Sequence, residues 1–137
     1  MGERKDTISA VDVGLNAVTL AATRTGNYLD VGTAKEVTLL FDLTYAAVTQ
    51  LVFEVDGRGG KDDANNYEML GASEAQTATD TDATLKPVRY VRAVSAADLH
   101  EMLTIPVYAN YMRIRVLNTG GGASDILSVR VIKIMSN

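Results

Sequence analysis

Within the stretch from Val107 to Met135, two runs place large apolar residues at every second position, a period that belongs to an extended strand and not to a helix. Met112, Ile114 and Val116 fall on one face of an outgoing strand, and Tyr111, Arg113 and Arg115 fall on the other. A polar stretch from Asn118 to Asp125, with three consecutive glycines, leads to a second run. There Leu127, Val129 and Val131 share a face against Ser128 and Arg130. The two runs are expected to pair as a hairpin, with Ile114 opposite Val129 and Arg113 opposite Arg130. A slip of two residues would preserve both faces, so the facial assignment is stronger than the pairing. One face is destined for a core, and the other carries arginines.

The same period recurs upstream. Val18, Leu20 and Ala22 share a face, as do Val37, Leu39, Phe41 and Leu43 in Glu36 to Tyr45. In Gln50 to Asp56 the residues Leu51, Phe53 and Val55 point inward, and Glu54 and Asp56 point outward. The connector between these two strands, Ala46 to Thr49, suits either a hairpin or a crossover between sheets. Shorter strands are expected at Tyr28 to Val31, Tyr67 to Leu70 and Val88 to Ala93. Ser95 and Asp98 have the spacing of a helix capping box, with Leu99, Met102 and Leu103 on one face, so Ser95 to Leu103 reads as a short helix or as a strand. Gly71 to Lys86 is rich in Ala, Thr and Asp, and a loop of that length in a small domain is usually functional or mobile. Met1 to Asp6 is charged and patternless, an N-terminal arm ahead of a single domain over residues 7–137. With eight or nine short strands, polar turns and no βαβ spacing, the chain is expected to be all-β. The expected form is a two-sheet antiparallel β-sandwich, jelly-roll-like, with at most one short helix.

Composition excludes several classes. The chain has 137 residues, enough to bury roughly two thirds of its unfolded surface without cross-links. It has no cysteine, which removes disulfides, thiol catalysis and the usual structural zinc sites. Although 47% of residues are hydrophobic, no apolar run reaches membrane-spanning length, and the start lacks a signal-peptide core. The formal charge of −4 argues against nonspecific nucleic-acid binding, which relies on clustered cations. The expectation is a protein made in the cytoplasm of its cell, with no membrane or nucleic-acid partner.

Catalytic and cofactor motifs fail on inspection. Gly57 to Asp62 lacks the first glycine and the closing Ser or Thr of a P-loop, and it does not open a helix. Gly120 and Gly122 could begin a dinucleotide fingerprint, but the third glycine position holds Asp125 and a strand follows. Both glycine runs therefore read as flexible turns. His100 is the sole histidine and no nucleophile elbow accompanies it, so it reads as a surface or interface residue. No catalytic residue, cofactor or enzymatic activity is expected. Glu54, Asp56, Asp62 and Asp63 flank a glycine-rich loop and are weak candidates for a Ca²⁺ site, since hard oxygen ligands suit that ion. Their plainer role is to keep a loop solvated. Arg113, Arg115 and Arg130 are candidates for partner binding. Like charges facing one another across strands cost stability, which carboxylates from another chain would offset. The plainer role is a solvated sheet face.

One resemblance adds to these readings. The succession Phe53-Glu-Val-Asp56-Gly57, a polar loop, Tyr67-Glu-Met-Leu70, a long Thr/Ala/Asp loop, Tyr111-Met-Arg113-Ile-Arg-Val116 and Thr119-Gly-Gly before a last strand resembles the small β-rich virion proteins of tailed bacteriophages. The likeness runs from about Val37 to Ile134 and is one of general pattern. It implies a β-sandwich located in the virion, binding the major capsid protein or another virion component as head decoration (cement) proteins do, often as a homo-oligomer. In such proteins an N-terminal arm contacts the shell, which adds Glu3, Arg4 and Lys5 to the partner-binding candidates. The alternative is a carbohydrate-binding module or fibre component using Tyr28, Tyr67 or Tyr90 with loop carboxylates.

Overall fold

The computed structural model describes residues 3–72 and 85–136. In chain order the elements are β1 (Arg4–Ile8), α1 (Ala10–Val13), β2 (Val18–Thr19), β3 (Arg24–Thr25), β4 (Leu29–Asp30), β5 (Ala34–Thr44) and β6 (Gln50–Arg58). They continue as β7 (Tyr67–Glu68), β8 (Leu70–Ala72), β9 (Leu85–Pro87), β10 (Arg89–Ala93), β11 (Leu99–Pro106), β12 (Tyr111–Thr119) and β13 (Ile126–Met135). One sheet runs β1-β13-β5-β11, with β2 also on β13. The other runs β10-β6-β12-β3, with β4 also on β12 and β7 on β6. All pairings are antiparallel. Strands β8 and β9 form a separate ribbon. Take β1 as first strand, β3 and β4 together as second, then β5, β6, β10, β11, β12 and β13. The sheets then run first-eighth-third-sixth and fifth-fourth-seventh-second, which is jelly-roll connectivity. The expected sandwich is present.

The terminal runs, however, do not form a hairpin. β12 lies in one sheet and β13 in the other, so Asn118 to Asp125 crosses the core. The inward faces are those read from the sequence: Met112, Ile114, Val116, Leu127, Val129 and Val131 are all buried. Their strand partners differ. Ile114 pairs with Val55 and Val116 with Phe53, whereas Val129 pairs with Phe41 and Val131 with Leu39. A hairpin and a crossing bury the same residues, and a period of two cannot tell them apart. Electrostatics can. The hairpin would set Arg113 against Arg130, while the observed register sets Arg113 against Asp56 and Arg115 against Glu54. Ala46 to Thr49 likewise crosses between sheets, the second of its two alternatives. Phe41 and Phe53 meet across the core with ring centroids 4.9 Å apart.

Three boundaries move. Arg4 to Ile8 pairs along β13, so the charged start beyond Glu3 is an edge strand of the sandwich and not an arm. The helical turn is α1, where Ser9 caps Asp12 N–H and Gly14 closes the turn at φ 81°. Ser95 to Leu103 is not a helix: Leu99 begins β11, and Asp98 accepts a hydrogen bond from Tyr45 N–H at 2.7 Å. The expected loop over Gly71 to Lys86 has its ends in the β8–β9 ribbon, and its middle lies outside the described residues.

These two crossings, Ala46 to Thr49 and Asn118 to Asp125, are tied by one buried carboxylate. Asp125 Oδ1 accepts hydrogen bonds from the amides of Ala46 (2.6 Å), Ala47 (2.8 Å) and Val48 (3.1 Å), and Oδ2 accepts one from Gly122 N–H (2.9 Å). Burial by itself would raise the pKa of this group; the four amides outweigh burial and hold it below the ordinary aspartate value. The glycine run beside it is a built turn and not a slack one. Gly120 has φ 75°, and a Cβ on Gly121 would stand 2.6 Å from Leu20 O.

Asp125→Ala should strand several amide donors and destabilise the fold by about 3 kcal/mol or more, measured by urea unfolding. Because the folded pKa is depressed, the carboxylate's contribution is complete above the unfolded aspartate value and declines as pH falls through the folded one. Asp125→Asn, which cannot titrate, should therefore narrow its stability gap to the native protein as pH drops below about 4.

Candidate functional site

The outer face of the β6 sheet carries a ladder of opposite charges. β6 presents Glu54 and Asp56, and neighbouring strands set cations directly beside them: Arg89 from β10 opposite Glu54 on one side, and Arg115 and Arg113 from β12 on the other. Arg115 reaches Glu54 at 3.0 Å, Asp56 at 2.9 Å and Glu68 of β7 at 2.8 Å. Arg113 meets Asp56 at 2.8 Å, and Arg89 meets Glu54 at 3.0 Å. The two carboxylates are only 3% and 2% exposed, although their strand position faces outward. The guanidinium stems cover them, as long basic side chains do on apolar surface. For Arg115 burial works against the charge, but Asp56 foremost, with Glu54 and Glu68, holds its pKa above the usual arginine value. Arg58 and Arg113 extend the ladder against the ring of Tyr28, at 4.1 and 4.9 Å from its centroid.

The arginine candidates thus separate. Arg113 and Arg115 find their carboxylates within the same chain, so no second chain is needed to neutralise them. Arg130 lies apart from them on the other sheet, exposed and opposite Leu40. Of the N-terminal candidates, Glu3 pairs with Lys35 and Arg4 with Asp6, while Lys5 lies exposed on β1 opposite Ile134. The four calcium candidates are not brought together. Glu54 and Asp56 are held by arginines, Asp63 accepts from Asn65 and Gly59 amides, and Asp62 is exposed. Among the described residues no group of three or more acidic or histidine side chains is placed to hold a metal. His100 Nδ1 lies 2.7 Å from Asp42 Oδ1 on the open face of the β5 sheet.

Nothing in the alternation pattern pointed to the groove along the β10–β11 side of the sandwich. Here three adjoining hollows of about 450, 490 and 490 Å³ run between the two sheets. The first is floored by Val55, Met69 and Met112 and flanked by Tyr67 and Tyr108, with Arg58, Asp63 and Glu68 around it. The last is bounded by Phe41, Phe53 and Tyr90, and is spanned by a two-point ion pair from Arg92 to Glu101 at 2.6 and 3.0 Å. Of the tyrosines proposed as sugar platforms, Tyr28 is engaged by arginines and Tyr90 is half-buried in the groove wall; Tyr67 is 55% exposed. Tyr108, at 76% exposure, was not anticipated, because it stands in the link before β12 outside any alternating pattern.

No protein-family model matches the sequence, and no curated protein matches it. A solved structure does share the architecture: the crystal structure of SPBc2 prophage-derived protein YomS is similar over 98% of this chain and 96% of that one. The TM-score is 0.51 at 14% sequence identity, so the likeness is one of fold.

Arg115→Ala should leave Glu54 and Asp56 under-compensated in a buried setting and cost about 3 kcal/mol. Arg130→Ala, at an exposed position, should stay within about 0.5 kcal/mol of the native protein. Chemical denaturation of the two variants checks the contrast.

Proposed function

We propose that this chain is a non-enzymatic structural protein of a tailed-phage virion, a capsid decoration (cement) protein that binds the head and stabilises it. The observation that carries this reading is the end-to-end fold likeness to a prophage-derived protein. The disposition of reactive groups agrees with it. Glu54, Asp56, Arg113 and Arg115 are consumed in a ladder that stiffens one sheet, and Asp125 is consumed in joining two crossings. A jelly roll whose buried charges are paired within the chain suits a protein whose work is contact, and leaves association to Arg130, Lys5 and the groove side. The partner on this reading is the major capsid protein or another virion protein.

A second reading, a glycan-binding module of a fibre, draws on the first hollow. Two exposed tyrosines flank an apolar floor, with Arg58, Asp63 and Glu68 near enough to serve hydroxyl groups.

Quantitative mass spectrometry of purified virions separates the readings by copy number. Copies in the hundreds, together with co-sedimentation of the purified protein with expanded heads, are expected for decoration. A few copies per particle, with hits on a glycan array weakened by Tyr108→Ala, would favour the fibre module instead.

A further inference from the structure

The groove side is also where the sandwich is unfinished. Among the described residues no strand pairs with the outer edge of β10 or of β11, and β11 offers eight residues of edge. The exposed apolar side chains concentrate there. Tyr67, Leu70, Val91, Met102 and Tyr108 line the three hollows, and Leu85 stands on the same ribbon as Leu70. Val11, on α1, is the one other large apolar side chain of comparable exposure among the described residues. A long edge strand next to apolar surface is a template for another strand. The opposite side of the sandwich contrasts with it: β1 and β2 cover β13, and β3 and β4 cover β12.

The sequence of β11 suits its own copy. Its two titratable residues are already matched within the chain, His100 to Asp42 and Glu101 to Arg92, so the edge brings no unmatched charge to a partner. Faces are preserved only when residues of like parity pair, which leaves few antiparallel registers about a two-fold axis. An axis at Glu101 sets two carboxylates face to face. An axis at Leu103 brings Pro106, which lacks an N–H, opposite His100. An axis at Met102 avoids both. It sets Met102 against Met102, Glu101 against Leu103, His100 against Thr104 and Leu99 against Ile105. Met102 is 71% exposed in the single chain, and this arrangement covers it.

We propose that the outer edge of β11 is a self-association surface, on which a second copy of this chain adds its own β11 antiparallel about a two-fold axis at Met102. The two β5 sheets then become one continuous sheet across the pair. This inference rests on the edge and its residues, and it stands whether or not the protein decorates a phage head.

The absence of cysteine provides a clean test. Directly opposed residues of an antiparallel pair lie about 4.5–5.5 Å apart at Cα, within the span of a disulfide. Met102→Cys should therefore convert to a covalent dimer under mild oxidation, well ahead of Val11→Cys, an equally simple variant at an exposed site away from the groove. Met102→Lys, which faces two ammonium groups across the axis, should weaken dimerisation roughly tenfold or more in sedimentation equilibrium, with its circular dichroism unchanged. The proposal is overturned if the native protein sediments as a monomer at tens of micromolar (about the range a weak dimer needs). It is equally overturned if Met102→Lys associates as the native protein does, or if the Met102→Cys variant crosslinks no faster than the Val11→Cys variant.

Discussion

Asp125 is the point on which the roll closes. A jelly roll is a long ribbon folded over so that most consecutive strands fall in different sheets, and several crossings gather at one end of the core. Two of the crossings here are Ala46 to Thr49 and Asn118 to Asp125. Such turns bury amides that no strand can satisfy. One carboxylate answers three of these amides in the first turn and one in its own, and Thr49 N–H adds a bond to Thr119 O at 2.8 Å. Burying the charge is costly, and the converging amides recover the cost. That link ties the two crossings together, in addition to the strand ladders and charge pairs that set the registers β5–β13 and β6–β12.

The two sheets then meet solvent in different ways. The β6 sheet turns a ladder of arginine and carboxylate outward, dense enough that Glu54 and Asp56 are buried on what would otherwise be an open face. The β5 sheet carries scattered residues instead: Leu40, Ile132 and Ile134 half-buried, Arg130 and Met102 exposed, and a Thr38–Thr104 hydroxyl pair at 2.9 Å. Charge pairing is concentrated on the first. The second, together with the groove side, retains surface that can meet another molecule.

The Arg92–Glu101 pair has a particular place in that division. It bridges the two sheets at their unpaired edges and lies over the aromatic centre of the core. Being exposed it contributes little stability, and it spans the gap between the edges of β10 and β11.

Much of this was legible in the chain. The alternation in Val37 to Leu43, Leu51 to Val55, Met112 to Val116 and Leu127 to Val131 determined which side chains enter the core, because a strand has only two faces and one must be apolar. It determined the all-β class and the absence of any long helix among the described residues. It did not determine which strand lies beside which, since a hairpin and a crossing bury identical residues. Nor did it reveal that Arg4 to Ile8 is a strand, because an edge paired on one side tolerates charge at every position. Above all, the arginines after Tyr111 and the acids after Phe53 could be read only as exposed and separate. Their partnership depends on β6 and β12 lying side by side across more than fifty residues of chain. Only the tertiary structure could make that choice, by weighing like charges opposed in a hairpin against opposite charges paired within a sheet.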